Sequence, residues 1–175
     1  MRPSIQAMKL TFILLCATSL FGFLARAEPL AVGSKAPVVT AINQDGAPVD
    51  LGEVYAKGTT LVYFYPKAGT PGCTAQACSL RDSFADLKGE GLQILGVSED
   101  KPESQKNFQE QNKLPFPLIA DSDGKVAAAF GVPTTMGLAK RQSFIIKGGK
   151  IVWNSLQAKT AEHAQEVQAA LDSLK

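Results

Sequence analysis

The run Thr60-Leu61-Val62-Tyr63-Phe64-Tyr65 constrains this chain more than any other. Its residues are β-branched and aromatic, which favours a strand, and too apolar to alternate between a wet and a dry face. Such a strand is buried on both sides, so helices must cover both faces of its sheet. Apolar residues at Ala77, Leu80, Phe84 and Leu87 have helical spacing and predict a helix over 74–88. Residues 92–97 read as a second buried strand. Pro102 opens a polar helix running to about Asn112. A short strand is expected over 117–120, and a short helix over 123–130 closed by Gly131. Two hairpins are expected: 38–42 with 48–51 across Asn43-Gln44-Asp45-Gly46, and 143–146 with 151–154 across Gly148-Gly149. Residues 161–174 close the chain as an amphipathic helix. Helical crossovers and hairpins together predict one α/β domain over 28–175, a mixed sheet flanked by helices on both faces.

Residues 1–27 stand apart from that domain. They carry Arg2, Lys9 and Arg26 and no acid. Residues 10–24 form an apolar run of 15, and Ala25-Arg26-Ala27 supplies a small-residue exit before Glu28. This is the pattern of a secretory signal peptide cleaved after Ala27. The run is shorter than the roughly 20 residues of a membrane-spanning helix. Cys16 reads as apolar filler, because Leu15 before it is not the small residue that lipid attachment needs. Without the leader, 15 Lys and Arg (18 less three) face 16 Asp and Glu, a formal charge of −1. That excludes a strongly basic nucleic-acid binder. Three cysteines and one histidine exclude a disulfide scaffold and a Cys/His zinc cluster. The expected destination is the bacterial periplasm, with no stable membrane association after cleavage. Disulfides persist in that compartment.

The chemistry sits where the central strand gives way to a helix, in Tyr65-Pro66-Lys67-Ala68-Gly69-Thr70-Pro71-Gly72-Cys73-Thr74-Ala75-Gln76-Ala77-Cys78. A thiol at a helix start meets unpaired N–H groups and the positive end of the helix dipole, which favour thiolate. An ordinary cysteine, with a pKa near ~8.5, is only about 3% thiolate at pH 7. Reaching about 90% thiolate takes roughly 3.4 kcal/mol of differential stabilisation. A helix end supplies about 1–2 kcal/mol, so a second positive group is needed. Arg141, just before the strand at 143–146, is the candidate. His163, in the last helix, is an implausible base. In a continuous α-helix, Cys73 and Cys78 lie about 140° apart around the axis with Cα atoms roughly 8.6 Å apart. A disulfide needs less than about 7 Å, so a bond between them requires the helix to unwind. That fits a redox switch better than two inert structural thiols or a fixed staple.

Pro66-x-x-x-Thr70-x-x-Cys73 resembles the active-site motif of the peroxiredoxins. The longer run through Ala77-Cys78 is similar to the Q-type, or bacterioferritin-comigratory, branch of that AhpC/TSA-like family. The resemblance extends over the mature chain through Gly96-Val97-Ser98-x-Asp100, Ala129-Phe130-Gly131-Val132 and Arg141-x-x-Phe144-Ile145-Ile146. It implies a thioredoxin-like fold and a thiol peroxidase acting on hydrogen peroxide and organic hydroperoxides. It implies Cys73 as peroxidatic cysteine and Cys78 as resolving cysteine, joined in a Cys73–Cys78 disulfide that a thioredoxin-like or other dithiol reductant reopens. Thr70 would hydrogen-bond the peroxide, Pro66 would shield the thiolate, and Arg141 would hold it and polarise the substrate. No metal or organic cofactor is implied, and the branch favours a monomer. Gln76 departs from the pattern, since many members carry Glu there.

The competing readings are a thioredoxin-like thiol–disulfide oxidoreductase acting on proteins, and a binding domain with an inert disulfide. The former calls for CxxC at the helix start, where this chain has four intervening residues; the latter leaves Thr70 and Arg141 without purpose. Gly131-Val132-Pro133-Thr134 reads as a plain turn within a loop to Lys140. Asp121-Ser122-Asp123-Gly124 reads as a turn and helix cap rather than a calcium loop, and Trp153 as packing.

Overall fold

The structure, a computed structural model, describes residues 28–175. The expected signal peptide lies outside the described residues. The apolar run at 60–65 forms β3 (Thr59–Phe64), the middle strand of a five-stranded sheet. It pairs in parallel with β4 (Leu92–Ser98), which pairs in parallel with β5 (Leu118–Ala120). On its other side it pairs antiparallel with β8 (Gln142–Lys147), and β9 (Lys150–Ser155) closes that edge. The mixed sheet thus follows from two crossovers and one hairpin, as the sequence predicts.

The period-two geometry of β3 splits its apolar residues between two cores. Leu61 and Tyr63, with Tyr65 just beyond, pack under helices α2 (Pro71–Asp82), α3 (Phe84–Gly89), α4 (Pro102–Gln111) and α6 (His163–Ser173). Val62 and Phe64 pack on the opposite face with Leu51, Tyr55, Val126 and Phe130. Helices therefore cover both faces. Asp121 caps α5 (Lys125–Ala129) by accepting from the amides of Val126 and Ala127 at 2.9 and 2.8 Å. That is the cap expected of this turn. Trp153 packs against the first core.

Three expectations need correction. The expected strand at 48–51 ends early. Strands β1 (Thr40–Ile42) and β2 (Pro48–Asp50) make the hairpin, and Leu51 opens a helix, α1 (Leu51–Ala56). Asp50 caps it by accepting from the Glu53 amide at 3.1 Å, and Leu51 and Tyr55, one turn apart, carry its buried face. The single helix expected over 74–88 is two. The first starts three residues earlier, at Pro71, because proline fits the first helical position. It stops at Ser83, whose ψ of 9° leaves the helical well, and α3 restarts from there. Finally, the loop at 133–140 holds a small hairpin, β6 (Thr134–Thr135) and β7 (Leu138–Ala139), turning on Met136 and Gly137 at φ of 54° and 74°. Positive φ at both central residues is the turn geometry that matches strand twist.

Candidate active site

The hairpin has a consequence for chemistry, since β7 delivers Arg141 two residues after the buried Ala139. The thiol comes from the other direction. After β3, Tyr65 still pairs with β4 through its amide and the Val97 carbonyl at 3.1 Å, and its hydroxyl bonds Gln105. The chain then turns through Pro66–Thr70. Asp100, at the end of β4, holds that turn by accepting from the Ala68 amide at 2.7 Å, and Ser98 and Ser104 donate to the same carboxylate at 2.7 and 3.4 Å. Gly69 supplies the left-handed residue the turn needs, at φ 76°. Thr70 is the N-cap of α2 by backbone conformation, yet its hydroxyl donates to the Lys67 carbonyl at 3.0 Å rather than capping the helix.

Cys73 is consequently the third residue of α2, in the turn where helix N–H groups lack partners. It is buried, at 1% exposure, on the stripe with Ala77 and Leu80. Arg141 reaches across from the strand edge and places Nη2 3.3 Å from the Cys73 sulfur. Its Nη1 donates to Gln76. Of the residues picked out from sequence, Cys73 and Arg141 are in contact, and Pro66 and Thr70 are half-buried in the turn that leads to the thiol.

Cys78 lies five residues on along the same helix. It is half-buried and faces another neighbour, Asn112 at the end of α4, with 3.8 Å between Sγ and Oδ1. Arg81 donates to the Asn112 carbonyl at 2.8 Å. Both cysteines are free thiols, and α2 is continuous through both. The helical form is therefore the dithiol form.

Two residues of the site escaped the sequence reading. Gln76 is fully buried between Arg141 and His163, with its Nε2 3.1 Å from His163 Nδ1. The far nitrogen of His163 lies 2.9 Å from the Ser143 hydroxyl. Burial, with the nearby Arg141 charge, pushes His163 down to about 3, so it is a neutral imidazole. Burial likewise raises the tyrosines Tyr63 and Tyr65, which stay protonated. The only sequence hint was Gln at position 76. Among the described residues no cluster of three or more His, Cys, Asp or Glu side chains could hold a metal ion.

Comparison with known proteins matches this geometry to a family. The model of the AhpC/TSA family matches residues 32–154. Peroxiredoxin Q, chloroplastic, of Sedum lineare is 40% identical over 148 residues, covering 82% of this chain and 78% of its own. The crystal structure of peroxidoxin BcpB from Mycobacterium tuberculosis aligns with TM-score 0.76 at 31% identity, over 82% of this chain and 97% of that one. The bacterioferritin comigratory protein of Xanthomonas campestris, in a study of its alkyl peroxide reduction activity, aligns with TM-score 0.75 at 29% identity, over 82% and 99%. A thioredoxin-like fold, a buried thiol opening a helix and these likenesses agree: the chain belongs to the AhpC/TSA family, as a peroxiredoxin of the Bcp and Q type.

Proposed function

We propose that this peroxidase reduces hydrogen peroxide and organic hydroperoxides through a sulfenic acid on Cys73, which Cys78 resolves as an intramolecular disulfide. The observation that carries the reading is the 3.3 Å contact between the Arg141 guanidinium and the Cys73 sulfur at the first turn of α2. Helix end and guanidinium together supply the positive field that one of them alone does not. The sulfur attacks one peroxide oxygen along the O–O axis, the O–O bond breaks, and the departing alkoxide or hydroxide takes a proton to leave as alcohol or water. Arg141 and the free amides of the first turn stabilise charge developing along S···O···O. The Thr70 hydroxyl has given its hydrogen to the Lys67 carbonyl, so it meets the peroxide as an acceptor and orients the O–H. Pro66 carries no N–H and keeps water from the sulfur.

Cys78 then attacks the sulfenic sulfur, forming the disulfide and releasing water. Continuous α2 holds the two Cα atoms roughly 8.6 Å apart, so this step requires the helix to unwind. An external dithiol, thioredoxin-like or otherwise, reduces the disulfide and closes the cycle. The protein works as an exported monomer in the periplasm, the signal peptide over 1–27 having been removed. Fractionation, N-terminal sequencing and light scattering test that part.

A single turnover tests the chemistry. One equivalent of hydrogen peroxide is added to prereduced protein, and peroxide and free thiols are counted, with Cys78→Ser alongside. Loss of both thiols in the parent, and a trappable sulfenic acid on Cys73 in the variant, is the expected result. Thiols that persist while peroxide remains overturn the reading.

A further inference from the structure

His163 is the only histidine of the chain, and the mechanism above makes no use of it. It is fully buried at the first position of α6, and α6 is tied to α2 there by the Ala164 amide donating to Ser79 Oγ at 3.0 Å. A line of polar contacts runs from Ser143 on β8 through His163, Gln76 and Arg141 to Cys73. Its proton positions follow by elimination. Arginine has only donors, so the amide atom of Gln76 facing it is the oxygen. The Gln76 NH₂ therefore faces the imidazole, and because it can only donate, Nδ1 bears no proton. A neutral imidazole then carries its hydrogen on Nε2 and donates to Ser143 Oγ.

We propose that His163 is a positioning residue for peroxide reduction, holding the Arg141 guanidinium against the Cys73 sulfur through Gln76. The proposal rests on Cys73 being the peroxide-reactive thiol. Gln142, next to Arg141, pairs with Phe64 of the central strand, which fixes the backbone of Arg141 but not the direction of its guanidinium. The relay refers that direction to Ser143, in register with Tyr63 of the central strand. Gln76 and His163 form a matched pair in this arrangement. The amide accepts from Arg141 without neutralising it, leaving the whole guanidinium charge for the sulfur. A glutamate at 76 would pair with that charge and would offer only acceptors to Nδ1, so the imidazole would have to move its hydrogen from Nε2 to Nδ1. The other side chains facing the imidazole are the Tyr63 ring of β3, edge-on with centroids 5.7 Å apart, and Ser143 of β8. Among the described residues, Arg141 is the charge whose field acts on it, and it opposes protonation.

Two isosteres separate positioning from mere packing. In His163→Asn the amide oxygen occupies the place of Nδ1 and still accepts from Gln76. In His163→Gln the amide reaches the place of Nε2 and leaves Gln76 unsupported. Measured on purified protein free of appended histidines, the Asn variant is expected to keep the hydrogen peroxide rate within about threefold, and the Gln variant to lose about tenfold. Rates that are equal in the two variants, or that follow only their unfolding temperatures, refute the role. The wild-type imidazole gives an independent reading, since its ¹⁵N signals belong to one residue. A neutral Nε2–H tautomer, unchanged from pH 5 to 8, is expected, with the Nδ1–H tautomer in Gln76→Glu, where the Ser143 hydroxyl donates to Nε2 instead. In the wild type, an Nδ1–H tautomer, or titration near pH 6.5, overturns the proposal whatever the variants do. Inactive Cys73→Ser with wild-type rates in both His163 variants removes the positioning role and leaves the Cys73 reading standing. Active Cys73→Ser removes both.

Discussion

Replacing Arg141 by methionine deletes, among the described residues, the positive side chain in contact with Cys73 while keeping most of the side-chain volume. At 3.3 Å, a guanidinium and a thiolate attract by about 1.3 kcal/mol in a water-like dielectric and by about 5 kcal/mol at an effective constant of 20. Arg141 is half-buried, so the truth lies between. Charge-assisted hydrogen bonds measured by mutation fall in that interval, at roughly 1.5–3 kcal/mol. If the contact is stronger by this much in the transition state than in the resting site, the peroxide rate of Arg141→Met falls by about 10- to 150-fold. Arg141→Lys separates charge from geometry. Lysine is a point charge without the fork that serves the sulfur and Gln76 together, so an intermediate rate is expected. The assay is stopped-flow peroxide consumption in the Cys78→Ser background, which isolates the first chemical step. Thermal unfolding runs beside it, because Arg141→Met also strands the buried Gln76 oxygen, at a cost of about 1–3 kcal/mol. An Arg141→Met rate within twofold of wild type, in a folded protein, would refute the electrostatic account of the site.

Other perturbations follow from the same contacts. Asn112→Ala removes the acceptor beside the Cys78 thiol, so disulfide formation after a single turnover should quicken by about two- to fivefold with the peroxide step unchanged. Asp100→Ala frees the Ala68 amide and relaxes the turn that carries Thr70; the peroxide step should slow several-fold while Cys73 and Cys78 both remain titratable as free thiols, by peroxide assay and thiol titration. Burial keeps His163 neutral in the fold, at about 3, whereas the unfolded chain protonates it near 6.5. Below pH 6.5 the unfolded state therefore binds the extra proton, and stability falls with pH down to about 3. His163→Asn should be spared about 3 kcal/mol of the loss that wild type suffers between pH 7 and pH 4, read from urea unfolding at each pH.

What the sequence made legible divides by distance along the chain. The buried strand and the thiol beyond it lie within a few residues of each other, and their meaning is local: an apolar run, then Pro71 opening a helix. Arg141 was reachable because β8 had to pair somewhere, and its first residues had to meet the same sheet edge. The break at Ser83 was invisible, since apolar spacing at 77, 80, 84 and 87 runs straight through a residue that leaves the helix. Strands of two residues are too short to show alternation, so β6 and β7 read as loop. Helix α1 had a signal, Asp50 three residues before Glu53, which the extended look of Pro48-Val49 concealed. The Gln76–His163 contact joins residues 87 apart. Nothing in either neighbourhood announces it, and only the packing of α6 on α2 creates it.

That packing gives α2 two conflicting duties. Its first half must be rigid, because the Cys73 sulfur has to meet Arg141 within hydrogen-bond reach, and Gln76 locks the guanidinium from the next turn. Its second half must come apart if Cys78 is to reach Cys73. The tethers are distributed to suit. Near Cys73 they are buried and end in the sheet through Ser143. Near Cys78 the polar contacts are half-buried: a long thiol contact to Asn112, Arg81, which also pairs with Asp82 at the surface, and Ser79, which accepts from the Ala164 amide, while Leu80 is fully buried. Half-exposed contacts are worth less to the folded helix and are replaced by water when it opens. The polar contacts beside Cys78 are thus the weaker set, and the buried Leu80 and the Ser79–Ala164 bond are what an opening of α2 from that end would have to give up.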